Sequence, residues 1–142
     1  MSASHFRELE VWQLSMNLAK AVYQLTATFP HEERYGLSSQ IQRSAISIPS
    51  NIAEGNARAS TRDYARFVSM AVGSSAELQI QLLLSGDLNL GDDALRTIAI
   101  DLCDRVGQML LRLHQALSRR LESESRVPSP ESRISEEAED YR

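Results

Sequence analysis

Leu95, Ile98, Leu102, Val106, Met109, Leu113, Leu117 and Leu121 recur at intervals of three or four residues. That spacing, held over about seven turns, puts every one of these side chains on one face of an α-helix. A long helix with a single apolar face must bury it against other elements. The rest of the chain supplies matching faces. In residues 7–29, Leu9, Trp12, Met16, Ala19, Val22 or Tyr23, and Thr26 repeat at the same spacing, widened by Leu18, Leu25 and Phe29. From Leu37 onward, Ile41, Ala45, Ile48 and Ile52 share a face. From Ser60 onward, Tyr64, Phe67, Ala71, Ser74, Leu78 and Leu82 share another.

Punctuation fits helices and not strands. Six Gly and four Pro in 142 residues are too few for an all-β fold, which needs a turn signal every 8–12 residues or so. Pro30 closes the first helix, and residues 30–37 form a connector punctuated by Gly36. Ser38 or Ser39 is placed to cap the second helix. Gly55 is placed as its left-handed stop. Residues 60–63, Ser-Thr-Arg-Asp, have the capping-box form with Asp in place of Glu. Gly86 is expected to end the third helix. Gly73 falls in the middle of that helix, where it costs ~1 kcal/mol relative to Ala. Close approach of a neighbouring helix would compensate. The prediction is an all-α protein, an antiparallel up-down four-helix bundle over residues 1–121. Residues 122–142 hold seven acids, five Ser and two Pro with little apolar content, so they are expected to form a disordered acidic tail.

The second helix contains "RSAISIPSNIAEG", residues 43–55. Pro49 removes a backbone hydrogen bond, and its ring crowds the carbonyl of Ala45. The apolar phase nevertheless continues from Ile41 to Ile52, which predicts one helix kinked at Pro49. Arg43, Ser47, Asn51 and Glu54 form a polar line beside the isoleucines. A buried polar line needs partners, so these residues are expected to meet a neighbouring helix or another subunit.

The chain carries few signs of chemistry. Bundle di-metal sites use Glu-x-x-His on two helices, and no such pair occurs. His5, His31 and His114 have no ligand spacing. There is no glycine-rich phosphate loop and no G-x-S-x-G turn. The "GSSAE" at 73–77 offers serines and a carboxylate but no positioned base. Hence no catalytic residue, metal, cofactor or small-molecule substrate is expected, and the chain is not read as an enzyme. Cys103, the single cysteine, excludes an internal disulfide. It lies next to the apolar stripe and is expected to be a buried, inert thiol. No apolar run approaches the ~20 residues of a membrane span, and the start lacks a signal-peptide core. The expectation is a cytoplasmic chain with no membrane partner.

Charge is unevenly placed. Residues 1–121 hold 12 basic and 12 acidic side chains, so the net −4 belongs to residues 122–142. Residues 34–76 hold five arginines against two acids. Arg58, Arg62 and Arg66 are spaced at four, and Arg105, Arg112, Arg119 and Arg120 lie on the fourth helix. The guanidinium fork suits phosphate, so Arg58, Arg62, Arg66, Arg105 and Arg112 are candidates for backbone contacts to nucleic acid. The plainer reading is a solvated helix face, partly neutralised by Glu54 and Asp63. One bundle carries few such residues; a ring of copies multiplies them.

The stretches "FRELEVWQLSMNLAKAVYQLTATFP", "YGLSSQIQRSAISIPSNIAEG" and "ARFVSMAVGSSAELQIQL" resemble, in order, the four-helix bundle family of 23S rRNA intervening sequence proteins. The likeness runs over residues 6–120, and "SIPSNIAEG" at 47–55 and "GSSAEL" at 73–78 are its most specific parts. It implies a left-handed up-down bundle that assembles into a homopentamer. Members are often encoded within intervening sequences of ribosomal RNA genes, and others stand alone in bacterial genomes. A related branch, the accessory variability determinants of diversity-generating retroelements, forms pentameric barrels that bind nucleic acid and a reverse transcriptase. That branch is strongly basic, whereas the body of this chain is neutral. The family has no established catalytic residues. Its motif positions here are Arg43, Pro49, Asn51, Glu54, Gly55, Gly73, Ser74 and Glu77, expected to serve structure or assembly. Two functions stay open: an oligomeric scaffold that binds RNA or a ribonucleoprotein, and a protein-interaction module with no nucleic-acid role.

Overall fold

The computed structural model describes residues 3–126. A 3-10 turn, Ala3–Glu8, leads into α1, Glu10–Thr26; a second, His31–Glu33, precedes α2, Leu37–Asn56; α3, Thr61–Asp87, and α4, Asp93–Arg126, follow. No strand occurs among the described residues. Each helix packs on two others: α1 on α2 and α4, and α3 on α2 and α4. The four therefore surround one core in chain order. Leu18, Val22 and Leu25 of α1, Ile41, Ile48 and Ile52 of α2, Val68, Leu78 and Leu82 of α3, and Val106 and Leu110 of α4 have no solvent exposure. Each such side chain contributes about 1.5–3 kcal/mol through burial.

Two of the apolar faces are turned by one residue from the sequence expectation. The centre of α1 is Val11, Ser15, Leu18, Val22 and Leu25, with Leu9 and Trp12 beside it. In the first half of α4 the centre is Arg96, Ala99, Cys103, Val106 and Leu110, while Ile98 is 53% exposed. The reason is size. Ser15, Ala99 and Cys103 let the helix axes approach, and the bulkier neighbours then fill the rims.

The helix ends also depart in part from expectation. Ser60 caps α3, its Oγ accepting from the Asp63 N–H at 3.0 Å. The return half of the capping box is not made, because the Asp63 carboxylate faces Arg66 at 3.8 Å. Ser38 and Ser39 do not cap α2; they lie inside its first turn, and the cap position is Gly36. Gly86 is helical and does not end α3. The left-handed residue is Asn89, φ 56°. Its N–H donates to Gly86 O and the Leu90 N–H to Ser85 O, at 3.0 and 2.9 Å, which is a Schellman closure. Asp92 caps α4 by accepting from the Leu95 N–H at 2.9 Å. α4 continues to Arg126, so residues 122–126 are helical and not part of a disordered tail; the rest of that expected tail lies outside the described residues.

Side-chain bonds join elements at both ends of the bundle. The Asp92 N–H donates to Thr28 Oγ1 at 2.9 Å, joining the α1–α2 connector to the α3–α4 turn. At the other end Thr61 donates to Glu124 at 3.4 Å.

α2 runs through Pro49 as one helix, with the ring buried. Two glycines depart from the roles the sequence suggests. Gly55 is not a left-handed stop; it is helical and buried, and a Cβ there would lie 2.7 Å from the Cβ of Phe67 on α3. Close approach of α2 and α3 happens here. Gly73, where that approach was expected, faces open space, with nothing within 4 Å of a Cβ. α3 is also long and apolar enough, by length and composition, to span a membrane, although only 39% of its most apolar window is buried. No uninterrupted run revealed this, because Gly73, the serines and the glutamines break the apolar string.

Gly55→Ala should destabilise the fold by about 1–3 kcal/mol through overpacking. Gly73→Ala should stabilise it by about 0.5–1 kcal/mol through helix propensity. Urea unfolding followed by circular dichroism checks both, and equal effects at the two positions would contradict the packing described.

Candidate nucleic-acid interface

The polar line on α2 faces α3. Ser47 Oγ lies 2.8 Å from Ser74 Oγ. Asn51 Nδ2 donates to the Ser47 carbonyl at 2.8 Å and to Ser47 Oγ at 3.0 Å. Glu54 pairs with Arg58, one turn on, at 3.0 Å. The family motif positions Ser74 and Asn51 thus belong to one hydrogen-bonded group centred on Ser47, one turn and more before the close approach of α2 and α3 at Gly55. Arg43 stands outside it. It lines a groove of about 400 Å³ with Gln40, Ser44, Ser47, Ser74 and Glu77, and it makes no ion pair among the described residues.

The evenly spaced arginines separate in space. Arg58 and Arg66 converge on Phe67, with guanidinium carbons 4.9 and 4.7 Å from the ring centroid. Each also faces a carboxylate, Glu54 or Asp63. Stacking on a ring holds a guanidinium plane in place, and the two adjacent acids offset the charge of the two arginines. Arg62 points elsewhere, into a groove shared with Ser60, Leu121, Glu124 and Ser125 near the end of α4.

Arg105 and Arg112 remain together. They lie about two turns apart on α4 and line a groove of about 580 Å³ with Gln108, Met109 and Glu10 of α1. Neither has an ion-pair partner among the described residues. Arg119 and Arg120 are exposed further along α4. An exposed guanidinium with no carboxylate partner keeps its donors available for phosphate.

The most buried arginine escaped the sequence reading. Arg96 donates from Nε to Ser85 Oγ at 3.1 Å, to Asp93 at 2.5 Å, and to the Leu90 carbonyl. It sews the α3–α4 turn together from inside. Its signal is positional: Arg96 stands three residues before Ala99 and seven before Cys103, on the buried face. Cys103 donates to the Ser75 carbonyl at 3.4 Å. Burial pushes its thiol up from 9.0 to about 12, and the charge of Asp104 adds to the effect. It is a structural thiol. Among the described residues no three His, Cys, Asp or Glu side chains converge as metal ligands.

These features define an all-helical protein whose described surface offers basic helix edges and a hydrogen-bonded α2–α3 seam. The model of the 23S rRNA-intervening sequence protein family matches residues 7–112. The chain belongs to that family. The match covers all five candidate arginines and every motif position. No curated protein matches the chain.

The thiol of Cys103 should resist an aromatic disulfide reagent at pH 8 in the folded protein and react within seconds in denaturant. Because its folded pKa is raised, the stability it contributes is complete below pH 9 and is lost as pH rises towards about 12. Unfolding measured against pH should show that decline, and Cys103→Ser should remove its share.

Proposed function

We propose that this chain is a non-catalytic scaffold that assembles with copies of itself and binds RNA, free or within a ribonucleoprotein, along α4. The observation that carries the reading is the α4 groove, in which Arg105 and Arg112 stand near Glu10 of α1 but neither is in an ion pair among the described residues. In this reading they contact phosphates, Arg62 extends the surface near the end of α4, and Arg58 and Arg66 contribute weaker contacts because each already serves Phe67 and an acid. The subunits are antiparallel up-down left-handed bundles, bent at Pro49, in a ring-like homo-oligomer of five. The bond between Thr28 and the α3–α4 turn and the bond between the start of α3 and the end of α4 support the antiparallel order. A ring multiplies the α4 edge, which offsets the small number of arginines per copy. Membership of a family named for 23S rRNA intervening sequences supports an RNA-related setting.

A second reading, a protein-interaction module with no nucleic-acid role, is favoured by the exposed apolar residues of α3, among them Met70, Ile80, Leu83 and Leu84.

Titrating fluorescent RNA at several salt concentrations separates the two. Phosphate contacts release counterions, so binding should weaken steeply with salt. The double variant Arg105→Ala/Arg112→Ala should lower affinity and flatten the logarithmic slope by about 1.4–1.8. RNA affinity and slope unchanged by that variant would remove the α4 groove from the account. No RNA binding at low salt would favour the second reading.

A further inference from the structure

α4 keeps one edge basic over its second half. From Arg105 to Leu121 the sequence holds four arginines, one histidine and no carboxylate. Arg105, Arg112 and Arg119 follow at intervals of seven, which brings a helix back to nearly the same edge each time. All three are exposed, as is Arg120, and none of the four is in an ion pair among the described residues. The one carboxylate that lines the groove with Arg105 and Arg112 is Glu10 of α1. Like charges arranged in this way repel one another, and a polyanion laid along them removes that cost.

The same chain carries the complement. Residues 131–140 hold five carboxylates, Glu131, Glu136, Glu137, Glu139 and Asp140, against Arg133 alone, a net −4 to set beside the +4 of the four arginines. They lie outside the described residues, and their place in the chain sets their reach. α4 ends at Arg126. Arg119, Arg112 and Arg105 stand ~10, ~21 and ~32 Å back from that point along the helix. Pro128 and Pro130 follow directly, and a proline withholds the N–H on which a helix would continue. Ala138, in the middle of the acidic run, is 12 residues beyond Arg126, a length of chain that spans ~40 Å at most. The carboxylates can therefore reach every arginine of the edge. The tether makes the encounter intramolecular, at an effective concentration of about millimolar. Ion pairs that are individually weak in water then act together.

We infer that residues 131–140 lie along the α4 arginine edge of their own chain, as a built-in polyanion that RNA must displace. This rests on the RNA-binding reading above and adds its regulation. A strand that makes few phosphate contacts fails to displace the segment, and one that makes many succeeds. Salt weakens both pairings, so the segment flattens the salt dependence of RNA binding.

Two measurements on the full chain test this, with circular dichroism to verify folding. Trp12 is the only tryptophan and stands two residues after Glu10 on α1. Energy transfer from it to an aminonaphthalene label on Ser135→Cys reports where the segment lies, because Cys103 is buried and leaves the new thiol as the reactive one. Transfer should fall as salt is raised. At low salt it should fall to the same level in Glu136→Gln/Glu137→Gln/Glu139→Gln/Asp140→Asn and in Arg105→Ala/Arg112→Ala/Arg119→Ala. Transfer that none of these changes would overturn the docking. In RNA titrations without the label, the acid-neutralised chain should bind about five- to tenfold more tightly than wild type at low salt, with a steeper salt slope, and the two should converge at high salt. Equal affinity and slope, alongside a change in transfer, would overturn the competition. No RNA binding by either chain, with transfer responding as expected, would overturn the RNA reading while the docked segment stands.

Discussion

The approach of α2 to α3 at Gly55 governs the rest of the architecture. A hydrogen atom where other residues have a methyl lets the Phe67 Cβ sit within 2.7 Å of the position a Cβ would take. That contact brings the Phe67 ring under the end of α2, where Arg58 and Arg66 lie on it. It also sets how far α2 and α3 are from each other further along. There, Ser47 and Ser74 are close enough for one hydroxyl to donate to the other. Bonds of this kind add only about 1 kcal/mol each. Their value lies in register, since a slide of one helix along the other would leave half-buried hydroxyls without partners.

Much of this was legible in the sequence, and the exceptions have a common cause. Four helices, the Ser60 cap and the continuity of α2 through Pro49 follow from spacing and from local backbone chemistry, which act over a few residues. The roles of Gly55 and Gly73 could not be separated that way. Both are glycines in helical stretches, and only the position of the facing helix decides which one is covered. The same holds for the α4 face. Bulky leucines suggested its centre, while Ala99 and Cys103 occupy it because close packing favours small residues at the nearest point. For the candidate site, the spacing of Arg58, Arg62 and Arg66 was plain, but their separation into two groups depends on Phe67 and on carboxylates supplied by two elements. Arg105 and Arg112 stay together because seven residues bring a helix almost back to the same edge. Arg96 has no place in a pattern of apolar residues, although it sits on the buried side of its helix.

The α2–α3 seam also clarifies what a proline inside a helix does here. Pro49 withholds one N–H from the backbone ladder, and nearby side chains act on the same stretch. Ser50 Oγ donates to the Ile46 carbonyl at 2.9 Å, and Asn51 donates to that of Ser47. Side-chain donors on carbonyls one turn back are known to bend helices. The polar residues around the proline are therefore part of the helix's own geometry as well as of its contact with α3.

The two connections at one end of the bundle are closed by different means, and this ranks the parts of the molecule by tenacity. The α3–α4 turn is held by a Schellman closure, by the Asp92 cap and by the guanidinium of Arg96 inside it. The α1–α2 connector enters α2 at Gly36 without a side-chain cap, and Tyr35 beside it is 88% exposed. Local opening begins where few buried contacts must break. Amide exchange and proteolytic nicking should thus start around Tyr35, with α3 and α4 staying joined as the hairpin that opens last.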